Sequence, residues 1–204
     1  MPKILTDEDL ARFRDRLCDV AERLFAEHGA EAVTIRQMAA ELGVSAMTPY
    51  RYFKDKDAIL AAVRARGFDR HADALEQARN EAGGDAVARA NAIGGAYVRF
   101  ALDHPEAYRL MFDVTQPTAE AYPDFVRAAA RSKATMTAHL IDLKAAGLFD
   151  GDPDYVGHLY WAALHGPIML QLTGMLAPPL DAPALIRGLT AALARRHFPE
   201  YVSA

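Results

Sequence analysis

Thr34-Ile35-Arg36-Gln37-Met38-Ala39-Ala40-Glu41-Leu42-Gly43-Val44-Ser45-Ala46-Met47-Thr48-Pro49-Tyr50-Arg51-Tyr52-Phe53 is the stretch that decides how this chain is read. Thr34 suits the N-cap of a helix over about 35–42, with Ile35, Met38, Ala39 and Leu42 on its inner face. Gly43 tolerates the positive φ that a tight turn demands. Ser45 is the natural cap of a second short helix ending near Phe53. Ala39 is small where two helices approach, and Val44 can plug the gap between them. This is the layout of a helix-turn-helix, whose second helix enters the DNA major groove with its first residues facing base edges.

Pro49 leaves two registers open. If Ser45 is the cap, Pro49 is the fourth helical residue and deletes the first intrahelical hydrogen bond. If Thr48 is the cap, Pro49 takes the first helical position, where proline is at home. The two registers present different side chains to a groove.

Outward from this stretch the chain reads as helix nearly throughout. Thr6 with Asp9 caps a first helix that carries Phe13, Leu17, Val20, Ala21, Leu24 and Phe25 in one apolar stripe and stops at Gly29. Asp55 caps a fourth helix starting at Lys56, with Ile59, Leu60 and Val63 inward. Gly83-Gly84 breaks the chain, and a helix follows from Asp85 to about Leu102. Another starts at Pro105, and Pro117 and Pro123 mark a further break. Later helices run to about Ala146, over about 153–176, and over about 183–197. The expected fold class is all-α: a helix-turn-helix domain over 1–56 followed by a larger helical bundle over 57–204.

Bulk properties narrow the function. No apolar run approaches the roughly 20 residues needed to span a bilayer. The first residues show no signal-peptide pattern, so a cytoplasmic protein without membrane contact is expected. The net charge of −4 lies wholly in 71–204, because 1–70 holds 12 basic and 12 acidic residues. Within 34–56, Arg36, Arg51, Lys54 and Lys56 outnumber Glu41 and Asp55, a small positive patch. Cys18 is the single cysteine and reads as a half-buried small side chain rather than a redox sensor. His158 and His165 lack a neighbouring carboxylate and make a poor metal site, so neither metal nor cofactor is expected.

Over about residues 10–64 the chain resembles the TetR family of regulators. The residues that carry the likeness are the Thr34 cap, the turn Ala39-Ala40-Glu41-Leu42-Gly43-Val44-Ser45, the run Tyr50-Arg51-Tyr52-Phe53, and Lys54-Asp55-Lys56-Asp57-Ala58-Ile59-Leu60. The resemblance implies that Thr34 and Arg36 meet phosphates. It implies that Ala46, Met47 and Thr48, just after Ser45, face bases. Met47 and Ala46 offer apolar contact, for example to a thymine methyl, and Thr48 can also hydrogen-bond. Tyr50 and Tyr52 would reach the DNA backbone through their hydroxyls, and Lys56 would place a helix N-terminus near a phosphate.

The C-terminal part carries a weaker likeness. His104-Pro105-Glu106-Ala107-Tyr108-Arg109-Leu110-Met111-Phe112 and Trp161-Ala162-Ala163-Leu164-His165-Gly166 resemble a subgroup of the same family with a Trp-x-x-x-His-Gly ligand domain. That likeness implies a homodimer through the last two helices and a largely apolar small-molecule effector. Candidate effector contacts are Phe100, Met111, Phe112, Met136, Leu140, Trp161, His165 and Met169. Trp161, His165 and Met169 recur at one helix face, a pattern that plain core also produces. His165 could equally cap a backbone carbonyl.

The resemblance therefore implies a regulator of double-stranded DNA, a repressor released from a palindromic operator by its effector; the sequence does not distinguish an activator. Two other classes stand beside it. A helical enzyme or carrier of an apolar molecule lacks a nucleophile elbow, paired carboxylates or a phosphate loop to support it. A pure dimerisation module leaves Tyr50, Tyr52 and Lys56 unexplained.

Overall fold

The computed structural model describes residues 6–112 and 121–198. The expected all-α class is what it shows: eight α-helices, one 3₁₀ turn, and no strand among the described residues. In chain order they are α1 (Asp7–His28), α2 (Ile35–Glu41), the 3₁₀ turn (Pro49–Arg51), α3 (Lys56–Glu81), α4 (Ala86–Asp103), α5 (Pro105–Met111), α6 (Pro123–Ala145), α7 (Pro153–Leu172) and α8 (Ala182–His197).

Local chemistry sets most of these boundaries. Thr6 and Asp9 form a capping box at α1, and Thr34 and Gln37 form one at α2, with the Thr34 N–H donating to Gln37 at 2.7 Å. Asp85, Asp152 and Asp181 each accept a hydrogen bond from the first turn of α4, α7 and α8. Two sequence readings need correction. α7 ends at Leu172 rather than near 176, because Gly174 turns the chain at φ 73°. No α-helix is capped by Ser45; the reason is given below. The break expected at Pro117 lies outside the described residues.

The chain divides into two compact units. The first comprises 1–68 and 106–129, the second 69–105 and 130–204. In the first, Leu17, Ala21, Leu24 and Phe25 of α1 pack with Val33, Ile35, Met38, Phe53 and the Ile59, Leu60 and Val63 stripe of α3. Leu110 joins this core, Arg64 donates to the Met111 carbonyl at 3.1 Å, and Phe68 meets the rings of Phe112 and Phe125. These contacts tie α5 and the start of α6 to the N-terminal helices, an association that local periodicity cannot reveal. Cys18 is 3% exposed, deeper than the half-buried position expected, because it belongs to this core. In the second unit, α7 packs on α8 and α4, and Leu140, Leu143, Phe149 and Val156 form a core cluster.

Candidate nucleic-acid interface and effector cavity

The turn after α2 is built by hydrogen bonds that only a left-handed residue permits. Gly43 stands at φ 66°. Its N–H donates to Ala40 O and the Val44 N–H to Ala39 O, each at 3.0 Å, which closes the helix in a Schellman pattern. Beyond it, proline decides the register. An α-helix capped at Ser45 would need a donor at residue 49 for the Ser45 carbonyl, and Pro49 has none. The Ser45 carbonyl instead accepts from the Thr48 N–H at 2.8 Å. The helical turn proper begins with Pro49 at its first position, after Thr48. Pro49 is buried, and its carbonyl accepts from both Tyr52 and Phe53. Neither of the two registers is realised in full: the 3₁₀ turn starts at Pro49, but Thr48 makes no side-chain cap, and the Ser45 hydroxyl accepts from the Met47 N–H at 3.4 Å.

This turn leaves a distinctive surface. Met47 is 68% exposed and Tyr50 49%, although both are large and apolar-bodied. Thr34, Arg36, Ser45 and Arg51 are exposed, while Ala46 and Thr48 are half-buried. Tyr52 is half-buried, its ring stacked on Phe13 at 4.2 Å between centroids. Arg14 buttresses the element from behind: its guanidinium donates to Tyr52 O at 2.8 Å and lies 4.2 Å from the Phe53 ring. Lys56 does more than face solvent. Its ammonium donates to Ala30 O at 2.7 Å and Glu31 O at 3.0 Å, holding the turn between α1 and α2.

Local charges sharpen the positive patch. Glu41 pairs with Arg23 at 2.5 Å, and Asp55 pairs with Lys54 and accepts from the Ala58 N–H. Both acids of the stretch 34–56 are thereby partly neutralised. Arg36 and Arg51 have no carboxylate partner among the described residues. Arg51, which the sequence reading did not assign to DNA, is an exposed cation one residue from Tyr50.

The second unit holds a cavity of about 580 Å³ between α4, α6, α7 and α8. Met136 and Leu140 line it, as the sequence reading expected; the other six candidates are not among its lining residues. Met111 and Phe112 belong to the first unit, and the Met111 side chain packs where Gly67 leaves room. Phe100 stands at a smaller, polar cleft of about 270 Å³. Trp161 donates its indole N–H to the Tyr97 hydroxyl at 3.0 Å, and His165 lies beside it at 6.2 Å between rings. Met169 is half-buried on the same helix. The sequence reading missed Asn91, Gly94, Gly95, His139, Tyr160 and Arg187, which all line the cavity. Their helical spacing on α4 and α6 was visible, but spacing does not separate a core stripe from a cavity wall.

Among the described residues, no group of three or more His, Cys, Asp and Glu could hold a metal ion, and no helix is long and apolar enough to cross a membrane. A family model described as "Bacterial regulatory proteins, tetR family" matches residues 17–63, which contain the whole helix-turn-helix. A second, "Tetracyclin repressor-like, C-terminal domain", matches residues 90–193. This chain belongs to the TetR family. The C-terminal match takes in all of α6 and α7 and most of α4 and α8, the helices around the cavity. An HTH-type transcriptional regulator of Mycobacterium tuberculosis is 25% identical over 142 residues, 67% of this chain but 58% of its own length. The chain thus spans less than two thirds of that relative. An HTH-type transcriptional repressor of the same organism is 35% identical over 72 residues, 35% of this chain and 38% of the repressor. The solved structure of a protein of unknown function from Rhodococcus sp. RHA1 superposes with a TM-score of 0.78 at 32% identity, covering 91% of this chain and 95% of that one.

Proposed function

We propose that this TetR-family chain is a homodimeric repressor that binds a palindromic DNA site and leaves it when a small, largely apolar molecule occupies the 580 Å³ cavity. The observation that carries the proposal is the exposed Met47 just before the proline-started turn and the exposed Tyr50 on it, with Thr34, Arg36 and Arg51 also exposed. Large apolar groups held out to water beside unpaired cations suit a groove with thymine methyls and phosphates. Thr34, Arg36, Tyr50, Tyr52 and Arg51 are assigned to the backbone, and Ser45, Ala46, Met47 and Thr48 to base edges. Lys56 is assigned chiefly to holding the α1–α2 turn, and to a phosphate through its position at the start of α3.

Dimerisation is assigned to α7 and α8, where Tyr155, Leu170 and Leu189 are 62, 43 and 45% exposed. A two-fold dimer would present two recognition elements one helical turn of DNA apart, about 34–36 Å. Effector and DNA would then oppose each other with equal coupling energy.

Fluorescence anisotropy with DNA flanking the gene tests this reading, using wild type and Tyr50→Ala at two salt concentrations. Selective binding that weakens with salt and is lost in the variant is expected. Equal binding by wild type and variant, or no selective fragment even in a genome-wide selection, would overturn it.

A further inference from the structure

The effector cavity has a chemical signature of its own. Its wall is mainly apolar, with Asn91, Tyr160 and Thr190 as neutral polar lining residues, and among the described residues no Asp or Glu lines it. Arg187 of α8 is its one formally charged lining residue among the described residues. That guanidinium is exposed and has no carboxylate partner among the described residues. His139 of α6 is a further polar lining group. It is 8% exposed, and its Nδ1 has no hydrogen-bond partner. Burial pushes its pKa down to about 4, so at neutral pH it adds no charge and presents one N–H and one acceptor nitrogen.

A pair of glycines marks the α4 wall. Gly94 and Gly95 sit mid-way along α4, where glycine weakens a helix relative to alanine. Close helix packing accounts for Gly157, where a Cβ would come within 2.9 Å of Thr137 and 3.1 Å of the Met136 carbonyl. It does not account for Gly94, where a Cβ would meet nothing within 4 Å. At Gly95 a Cβ would meet only the mobile end of Arg99, at 3.2 Å. Both glycines line the cavity, and the open space at Gly94 is where a missing side chain leaves it room.

We propose that the cavity selects an amphipathic monoanion: a carboxylate held at Arg187 and a bulky apolar body lying over Gly94 and Gly95 beside His139. The proposal rests on reading the cavity as the effector site. A cavity of this volume falls within the roughly 300–1,000 Å³ typical of small-molecule sites. With no acid among the described residues of its wall, it gives a cationic ligand no carboxylate to pair with.

Isothermal titration calorimetry of the whole chain with decanoate, decanol and decylamine, all below their aggregation thresholds, tests the proposal. Decanoate should bind about tenfold tighter than decanol, the scale of one screened charged hydrogen bond, and decylamine should bind weakest. Arg187→Gln should bring decanoate down to the level of decanol and leave decanol unchanged. Gly94→Leu should weaken both tenfold or more, with helix content by circular dichroism unchanged. Equal binding of decanoate and decanol to wild type, or a preference that survives Arg187→Gln, overturns the anionic assignment while the effector cavity stands. Undiminished binding to Gly94→Leu, or no binding of any of the three probes to wild type, overturns the cavity as the effector site as well.

Discussion

Mild acid should destabilise the second unit through two buried histidines. His71 is 1% exposed, and its Nδ1 bonds the Ser132 hydroxyl at 2.9 Å while its Nε2 has no partner. His139 is 8% exposed. Burial lowers both from the ordinary 6.5 to about 4. A protonated imidazole in either place has lost its water, and although Asp142 offers His139 an opposing charge, burial outweighs it. The unfolded chain therefore binds protons that the folded unit refuses, and stability is lost as pH falls from about 6.5 towards 4. Between pH 7 and pH 5 each histidine removes about 2 kcal/mol, and the pair about 4 kcal/mol. Trp161 is the chain's single tryptophan and lies in the same unit, so its fluorescence reports that unit's unfolding. Urea titrations at pH 7.0 and 5.0 should show this loss in wild type and about half of it in either His71→Gln or His139→Gln. The double variant should keep only a small slope, to which His165, also pushed down by burial, contributes with the same sign. A double variant that loses as much stability as wild type would refute the reasoning.

Two further outcomes follow from single contacts. Lys56→Ala removes the ammonium from the carbonyls of Ala30 and Glu31, so the first unit should lose about 1–3 kcal/mol by chemical denaturation. In that variant weakened DNA binding should accompany lost stability, whereas Tyr50→Ala should weaken DNA binding with an unchanged melting temperature. Trp161→Phe deletes the donor to the Tyr97 hydroxyl, and Tyr97 is 1% exposed; the second unit should lose about 1–3 kcal/mol, read by circular dichroism melts.

Much of the fold was legible because it is written in local chemistry. The threonine capping boxes at Thr6 and Thr34 and the aspartates at 55, 85, 152 and 181 satisfy backbone groups within three residues of themselves. Gly29 and Gly43 turn the chain at φ 80° and 66°, values an L side chain resists. The apolar stripes of α1, α2 and α3 do pack together as their spacing foretold. Even the short 3₁₀ start at Pro49 follows from one missing N–H, which leaves the Ser45 carbonyl to the Thr48 N–H.

The sequence by itself therefore determined the helices, their caps and the recognition turn, since each depends on neighbours a few residues away. Tertiary structure decided the rest. It gathered α5 into the N-terminal core through Leu110, and it gave Lys56 a structural partner 26 residues distant. It built the cavity from four helices, so that Gly94, His139 and Arg187 face one space while Trp161 turns to Tyr97. A helical stripe states which side chains share a face. Whether that face meets a neighbour or a void depends on the helices opposite, and their distance is a property of the packed whole.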